Sequence, residues 1–526
     1  MLARKSLLIL LQNLVGAVLG YIGLYLVAQY VGKEGLGEVA FALALLSFFA
    51  FLSDLGFGQA HVKVVAEGVD LQRALGTYLS LRLMLVLLMV GAFYGSLWGW
   101  QAVTGTLFEG STSMAVIHLV MLYYIFNALF LVPSTTFDGL QRTALTQGGF
   151  LAQHPVKVAL LAAAIFGGGA LAIARAYTLS ALVGTVVLWV LFLRARYRVG
   201  APDWSLLPRY TRYAAPLFLS GIFGTVILNT DKVLLGYFWD QAQVGWYFGA
   251  QRITALVLVA SQAAGVLLFP QIAGLVAKHD WAAARKTVHD AERYLSLTLL
   301  PVVAVLALFS RPVIHIMLSD DFLPAATSLA FLAATVYATT LILPRMVWLR
   351  GAGRLKVSAM ISAFIALANV PLNLLLVPRG APVLMLGSIA TIPLEGTTGA
   401  AFATLIATCS GLLIAYLVTS PRTLVGPPAL CHARHLLAGA LAGFVLLYLT
   451  GGGAAISRWY ELVVVAGAFL GIYAAILWVV GELRKADIQF FLQLASPTAM
   501  VGYIRDELHL ERNESRERSL AREGEE

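Results

Sequence analysis

The chain has 526 residues, of which 60% are hydrophobic and only 12% charged, with a mean hydropathy of +0.83. A soluble protein carries about 25% charged residues, so this composition excludes ordinary soluble domains. The formal charge of +9 (36 basic minus 27 acidic) is spread over short loops without an aromatic-interleaved basic patch, which argues against nucleic-acid binding.

The apolar residues fall in blocks of about twenty, enough for a helix to cross a hydrocarbon core of about 30 Å. Lipid offers backbone groups no partners, so the blocks must be helices, since a barrel would show short alternating strands. In chain order they predict fourteen spans. Six come first: Leu7–Tyr30, Gly37–Phe57, Leu75–Trp98, Met114–Phe137, Ala144–Phe166 and Ala170–Phe192. Six follow: Tyr213–Trp239, Trp246–Ile272, Tyr294–Leu318, Ala325–Leu349, Val357–Val377 and Gly399–Val418. His435–Thr450, which is short, and Trp459–Val480 complete the set. Trp98, Trp100, Trp239, Trp246 and Trp459 cluster at span ends, where amphipathic rings belong. The first block is too long for a cleaved signal peptide and lacks a small-residue cleavage site.

Loop charge predicts orientation. With the N-terminus inside, the inner segments hold nineteen basic residues and the outer loops only three, Lys33, Arg379 and Arg458. The positive-inside rule then places both termini in the cytoplasm of a multi-pass plasma-membrane protein.

The chain repeats itself. Tyr30 to Gly37 has a counterpart in Tyr237 to Gly245, and the quartet Tyr78-Leu79-Ser80-Leu81 returns as Tyr294-Leu295-Ser296-Leu297, each after a basic linker. The copies lie six spans apart, an even number, so the halves share one orientation about an axis along the membrane normal. The predicted fold is therefore an all-α polytopic membrane protein of about fourteen transmembrane helices. Two pseudo-symmetric six-helix bundles, residues 1–198 and 199–420, enclose a central cavity. Two extra helices occupy 421–483, and a cytoplasmic tail 484–526.

Ionisable groups inside a span are costly and mark function by default. Lys157 lies near the middle of the fifth span, beside His154 and Pro155. Arg175, Lys232, Arg252 and Arg311 fall in the outer third of their spans, and Arg82 about two turns inside the inner boundary. These six are the candidate substrate-binding residues, with snorkelling to the interface as the competing account, and the only account favoured for Arg345. Asp231 is the candidate for ion coupling or an ion pair. Helix neighbours point about 100° apart, so its partner should come from another helix rather than from Lys232. Asn127, Asn229, Asn369 and Asn373 read as inter-helix hydrogen-bonding groups, and Pro133, Pro155, Pro216, Pro270, Pro301, Pro344 and Pro371 as kinks or hinges. No catalytic residue, metal or cofactor is expected. Cys431-His432-Ala433-Arg434-His435 has metal-ligand residue types but no partner cluster, and neither glycine triplet is a phosphate loop.

Leu52-Ser53-Asp54-Leu55-Gly56-Phe57-Gly58-Gln59-Ala60 resembles the "DLG" signature of polysaccharide-transporter flippases, of the multidrug/oligosaccharidyl-lipid/polysaccharide superfamily. Phe137-Asp138-Gly139-Leu140-Gln141-Arg142, Asp231-Lys232-Val233-Leu234-Leu235-Gly236 and Gly351-Ala352-Gly353-Arg354 are similar to later passages of that family. So are Asn369-Val370-Pro371-Leu372-Asn373 and Thr398-Gly399-Ala400-Ala401-Phe402-Ala403-Thr404. The resemblance covers roughly residues 5–420, and Gly380–Glu395 departs from it as an outer-loop insertion. It implies a non-enzymatic flippase that carries an isoprenoid-phosphate- or pyrophosphate-linked oligosaccharide to the outer leaflet. It further implies membrane lipids as partners, a monomer, and association with glycan-assembly enzymes. A cation-coupled drug antiporter of the same superfamily is the alternative, but Leu7–Tyr30 lacks acidic coupling residues. A lipid II flippase is another, but the same span lacks cavity arginines. A membrane glycosyltransferase would need catalytic carboxylates in a large outer loop, and the longest such loops offer only Glu109 and Glu395.

Overall fold

The computed structural model describes residues 2–105, 112–386, 390–419, 427–485 and 487. Among the described residues, sixteen α-helices satisfy the backbone of the apolar blocks. The first half holds α1 (Leu2–Tyr30), α2 (Gly32–Ala50), α3 (Phe57–Ala66), α4 (Leu71–Thr104), α5 (Met114–Gly139), α6 (Thr143–Ala163) and α7 (Gly169–Arg194). The second holds α8 (Leu207–Phe238), α9 (Gln241–Ala277), α10 (Trp281–Leu308), α11 (Ser310–Met317), α12 (Ala326–Gly351), α13 (Leu355–Leu376) and α14 (Gly396–Thr419). Last come α15 (Pro427–Leu449) and α16 (Trp459–Val479). Among the described residues, 12 helices are long and apolar enough to cross a membrane. The expected spans Tyr213–Trp239 and Trp246–Ile272 fall on the two other long helices, α8 and α9.

Several helix starts are set by side chains that accept orphan backbone N–H groups. Asp70, Asp240 and Asp280 accept from Arg73, Gln243 and Ala283 at 2.9, 3.0 and 2.9 Å and so open α4, α9 and α10. The Asp280 cap moves one predicted boundary. The stretch from Lys278 to Arg293, expected as a linker, is mostly the first turns of α10, because Ala284, Val288 and Glu292 recur every four residues and bury one face. The predicted ninth span ends early as well: α10 stops at Leu308 and the chain turns at Phe309 into the short α11. Pro133, Pro155, Pro301, Pro344 and Pro371 sit inside helices that continue past them.

The all-α expectation needs one amendment. Within the insertion 380–395, β1 (Val383–Leu386) pairs antiparallel with β2 (Ala390–Pro393), with Val383 facing Pro393. Just after it, the start of α14 is joined to the start of α9, where Thr397 N–H donates to Gln243 Oε1 at 3.1 Å.

Both halves use the same packing scheme. In the first, α5 packs on α7, α6 on α7, α1 on α6, α2 on α5 and α4 on α5. The second repeats this with α12 on α14, α13 on α14, α8 on α13, α9 on α12 and α10 on α12. The halves meet where α2 crosses α9. A Cβ added to Gly37 would sit 1.8 Å from the Gln241 carbonyl, and one added to Gly245 would sit 2.0 Å from the Lys33 carbonyl. Each glycine thus abuts the carbonyl four residues before the other, as a pseudo-two-fold axis between the helices requires. The sequence repeat is a structural repeat.

Candidate functional site

The DLG turn is built around Asp54. Leu55 and Gly56 adopt positive φ of 46° and 84°, and the Asp54 carboxylate accepts from Gly56 N–H and Gly58 N–H at 3.3 and 3.2 Å. A left-handed glycine is needed here, because a side chain on Gly56 would reach the Ala214 carbonyl at 2.9 Å. Arg82 closes the turn. Its guanidinium, 1% exposed, binds Asp54 and donates to the carbonyls of Ser53 at 2.7 Å and Ala128 at 3.0 Å. Arg82 therefore joins α4 to the turn and to α5. Removing it strands Asp54 and two buried carbonyls, and loss of one partner of a buried pair costs about 3–5 kcal/mol. Asp54 is about a third exposed, so for Arg82→Ala we expect the low end of that range, read as a lower unfolding temperature in detergent. An unchanged temperature together with lost transport would return Arg82 to the substrate-binding set.

Three other candidates converge between the halves. One chamber, of about 260 Å³, lies among α1, α6, α7 and α9 and is lined by His154, Lys157, Tyr177 and Arg252. Gly16, Gly20 and Gly23 face it from α1, leaving room beside the basic groups. A second chamber, of about 450 Å³, is lined by Tyr123, Tyr124, Asp231, Lys232, Gln251 and Arg252, with Thr335, Thr339, Thr404 and Thr408. The two share Tyr177, Phe248, Arg252 and Ala255. Lys157 Nζ sits 5.2 Å from the Tyr177 ring and Arg252 4.7 Å from the Phe248 ring, so aromatic faces hold both cations at the junction. Three cations and one carboxylate leave the combined cavity positive.

Asp231 and Lys232 point apart, as neighbours on a helix should. The Asp231 carboxylate accepts from Asn373 Nδ2 at 2.7 Å, from Thr404 Oγ1 at 3.0 Å and from the Tyr247 hydroxyl. Its partners come from α13, α14 and α9 rather than from Lys232. Lys232 Nζ donates to Gln251 Oε1 at 2.8 Å and to the Leu228 carbonyl. Asn369 and Asn373 bond between helices, whereas Asn127 and Asn229 bond back to Tyr123 and Thr225 on their own helices. Asn373 Oδ1 has no hydrogen-bond partner although it is buried beside Asp231. With that oxygen, the carboxylate and Thr404 Oγ1, this cluster has the hard oxygen donors that a small cation takes.

The remaining candidates lie elsewhere. Arg175 is exposed on α7 and lines neither chamber. Arg311 borders a separate concavity with Ser310, Pro324 and Thr327. Arg345 does not snorkel: it is 3% exposed, donates to Glu292 Oε2 at 2.9 Å, and lies 3.4 Å over the Tyr416 ring. Sequence reasoning missed this pair because Glu292 fell in a supposed linker. It also missed Tyr123, Tyr124, Tyr177 and Gln251, since aromatic and amide groups within spans read as packing until the fold sets α5, α7 and α9 around one space.

The beginning of the molecule matches a family model described as polysaccharide biosynthesis protein, over residues 2–276. The chain belongs to this polysaccharide biosynthesis protein family. It is 24% identical over 339 residues to the probable low-salt glycan biosynthesis flippase Agl15 of Haloferax volcanii, covering 63% of this chain and 68% of that protein. In fold it is similar to the lipid II flippase MurJ in an inward closed conformation, with a TM-score of 0.70, 13% identity, and 89% and 98% of the two chains covered. It is also similar to an inward-facing multidrug resistance MATE family transporter of the MOP superfamily. There the TM-score is 0.65 at 15% identity, over 77% of this chain and 94% of the other. At 13% and 15% identity these likenesses are likenesses of fold.

Proposed function

We propose that the chain is a flippase that moves a lipid-linked saccharide from the cytoplasmic to the outer leaflet by alternating access. The observation that carries this reading is the cation-rich, tyrosine- and threonine-lined cavity between pseudo-symmetric halves, in a chain of the polysaccharide biosynthesis family. A sugar head group forced through hydrocarbon would lose several kcal/mol for each unsatisfied polar group, and this cavity supplies hydroxyl, amide and ring partners instead. Arg252 and Lys157, with Lys232 behind them, hold the phosphate; the isoprenoid tail stays in lipid. Residues 1–198 and 199–420 are the two rocking bundles, and both termini face the cytoplasm. The chain works as a monomer beside glycan-assembly enzymes and performs no covalent chemistry of its own.

Ligand that binds the folded state raises its apparent stability. An isoprenoid-pyrophosphate saccharide should therefore raise the unfolding temperature of the purified protein, and the same isoprenoid as a free alcohol should not. Equal shifts from both would remove the phosphate-binding assignment and with it the role of the cavity cations.

The oxygen cluster at Asp231 supports a second element, coupling to a cation gradient. Asp231→Asn keeps the shape but removes the charge, so transport by that variant should lose its response to sodium or proton gradients while the protein stays folded. A full gradient response in the variant would make Asp231 a structural group. Gradient-driven efflux of a cationic dye, with no movement of saccharide-lipid, would instead place the chain with the drug antiporters.

A further inference from the structure

Cys431 and His435 lie four residues apart in the first turns of α15, a spacing that puts both side chains on one helix face. The fold adds a third group that the sequence does not place near them: Glu482, just beyond the end of α16. Cys431 Sγ is 3.3 Å from Glu482 Oε1 and 3.7 Å from His435 Nε2, and Nε2 is 4.0 Å from the same carboxylate oxygen. All three residues are buried, and their ligand atoms lie within 4.8 Å of one another.

These separations are those of the edges of a metal coordination shell. A point about 2.1 Å from all three atoms exists, close to the roughly 2.3, 2.0 and 2.1 Å that zinc takes to sulfur, imidazole nitrogen and carboxylate oxygen. The supporting groups are also present. His435 Nδ1 is 2.8 Å from Ser296 Oγ, itself 2.7 Å from the Tyr337 hydroxyl. With Nδ1 donating there, Nε2 presents its lone pair to the other two ligands, the outer partner that metal-binding histidines almost always have. Glu482 is oriented by Arg434 Nη1 on Oε2 and Arg293 Nε on Oε1, each at 2.9 Å. A further observation points to a missing ligand. His432 is only 8% exposed, its ring centroid is 6.4 Å from that of His435, and neither of its nitrogens has a hydrogen-bond partner. Leaving a buried polar group unsatisfied costs about 1–3 kcal/mol, a cost removed when His432 binds a metal-held water.

We propose that Cys431, His435 and Glu482 form a site for a borderline-soft divalent transition ion of the zinc class, which clamps the start of α15 and the segment after α16 onto α10. The ion displaces the Cys431 thiol proton, which leaves to solvent; no oxidation or reduction is involved. Arg293 and Arg434 balance Glu482 and Asp487 in the metal-free cluster, so loading changes its charge by only one unit. Thiolate and imidazole ligands select zinc-class ions over magnesium or calcium.

The test uses full-length protein, stripped with a chelator and titrated with Co²⁺. We expect one Co²⁺ per chain, tetrahedral visible bands and a thiolate-to-cobalt charge-transfer band. Cys431→Ser should abolish that band and Cys409→Ser should leave it. His435→Gln and Glu482→Gln should each weaken binding at least tenfold, and Zn²⁺ should raise the unfolding temperature of the wild type but not of C431S. Absence of the band at saturating Co²⁺, or its persistence in C431S, overturns the proposal. If C431S does not fold, zinc absorption spectroscopy on the loaded wild type decides: one sulfur among the ligands supports the site, and an all nitrogen and oxygen shell overturns it.

Discussion

Replacement of Arg252 by alanine is expected to slow saccharide-lipid transport about 10- to 100-fold while leaving the protein folded. Arg252 alone among the six candidate cations borders both chambers, so a phosphate passing from one to the other meets it throughout. A hydrogen bond to a charged group contributes about 1.5–3 kcal/mol, and about 1.4 kcal/mol is tenfold. The side chain is exposed to the cavity and carries no part of the core, so its loss should not lower the unfolding temperature. Lys157→Ala should act in the same direction, from the α6 side of the first chamber. Arg175→Ala and Arg311→Ala, which lie outside both chambers, should have little effect. Measured initial rates with equal amounts of folded protein check the series. Wild-type flux in both R252A and K157A would remove the phosphate site from this cavity.

The second large effect is expected at the crossing of α2 and α9. Gly37→Val places carbon atoms where the Gln241 carbonyl already lies, and the obstacle is backbone, which cannot rotate away. The helices must separate, and overpacking of this sort costs about 1–3 kcal/mol. That cost falls on the arrangement described above, with α2 and α9 in contact, and is relieved when the halves part, so the balance between conformations moves about 5- to 150-fold toward the parted one. Amides at residues 33–37 and 241–245 should exchange hydrogen faster, and transport should fall, because a cycle needs both arrangements. The pseudo-symmetry predicts that Gly245→Val does the same. Wild-type exchange and flux in either variant would show that this contact is not broken during transport.

The spans, their order and the repeat were legible because lipid imposes a simple rule: a helix must carry about twenty apolar residues. The equivalence of Gly37 and Gly245, found from two loosely similar segments of eight and nine residues, reappears as a reciprocal helix contact. What hydropathy could not supply was the start of α10, because Ala284, Val288 and Glu292 form a buried stripe within a charged segment that reads as a loop. Lys157, Lys232 and Arg252 were legible as charges out of place. Their grouping was not, since it depends on how α6, α8 and α9 rotate about their axes. Arg82 carried the same signal for a different reason: a buried arginine satisfying the DLG turn looks, in sequence, like one awaiting a ligand. Asp231 could be assigned a partner on another helix by geometry alone, but Tyr247, Asn373 and Thr404 could be named only once α9, α13 and α14 were in place.

Flipping through the cation-lined cavity is tested most directly by following a short-chain, fluorescent, isoprenoid-pyrophosphate-linked saccharide across liposomes that hold the purified protein, with R252A liposomes alongside. We expect transbilayer movement well above that of protein-free vesicles and its near loss in R252A. Movement no faster than in empty vesicles, under sodium and proton gradients of either direction, would contradict it.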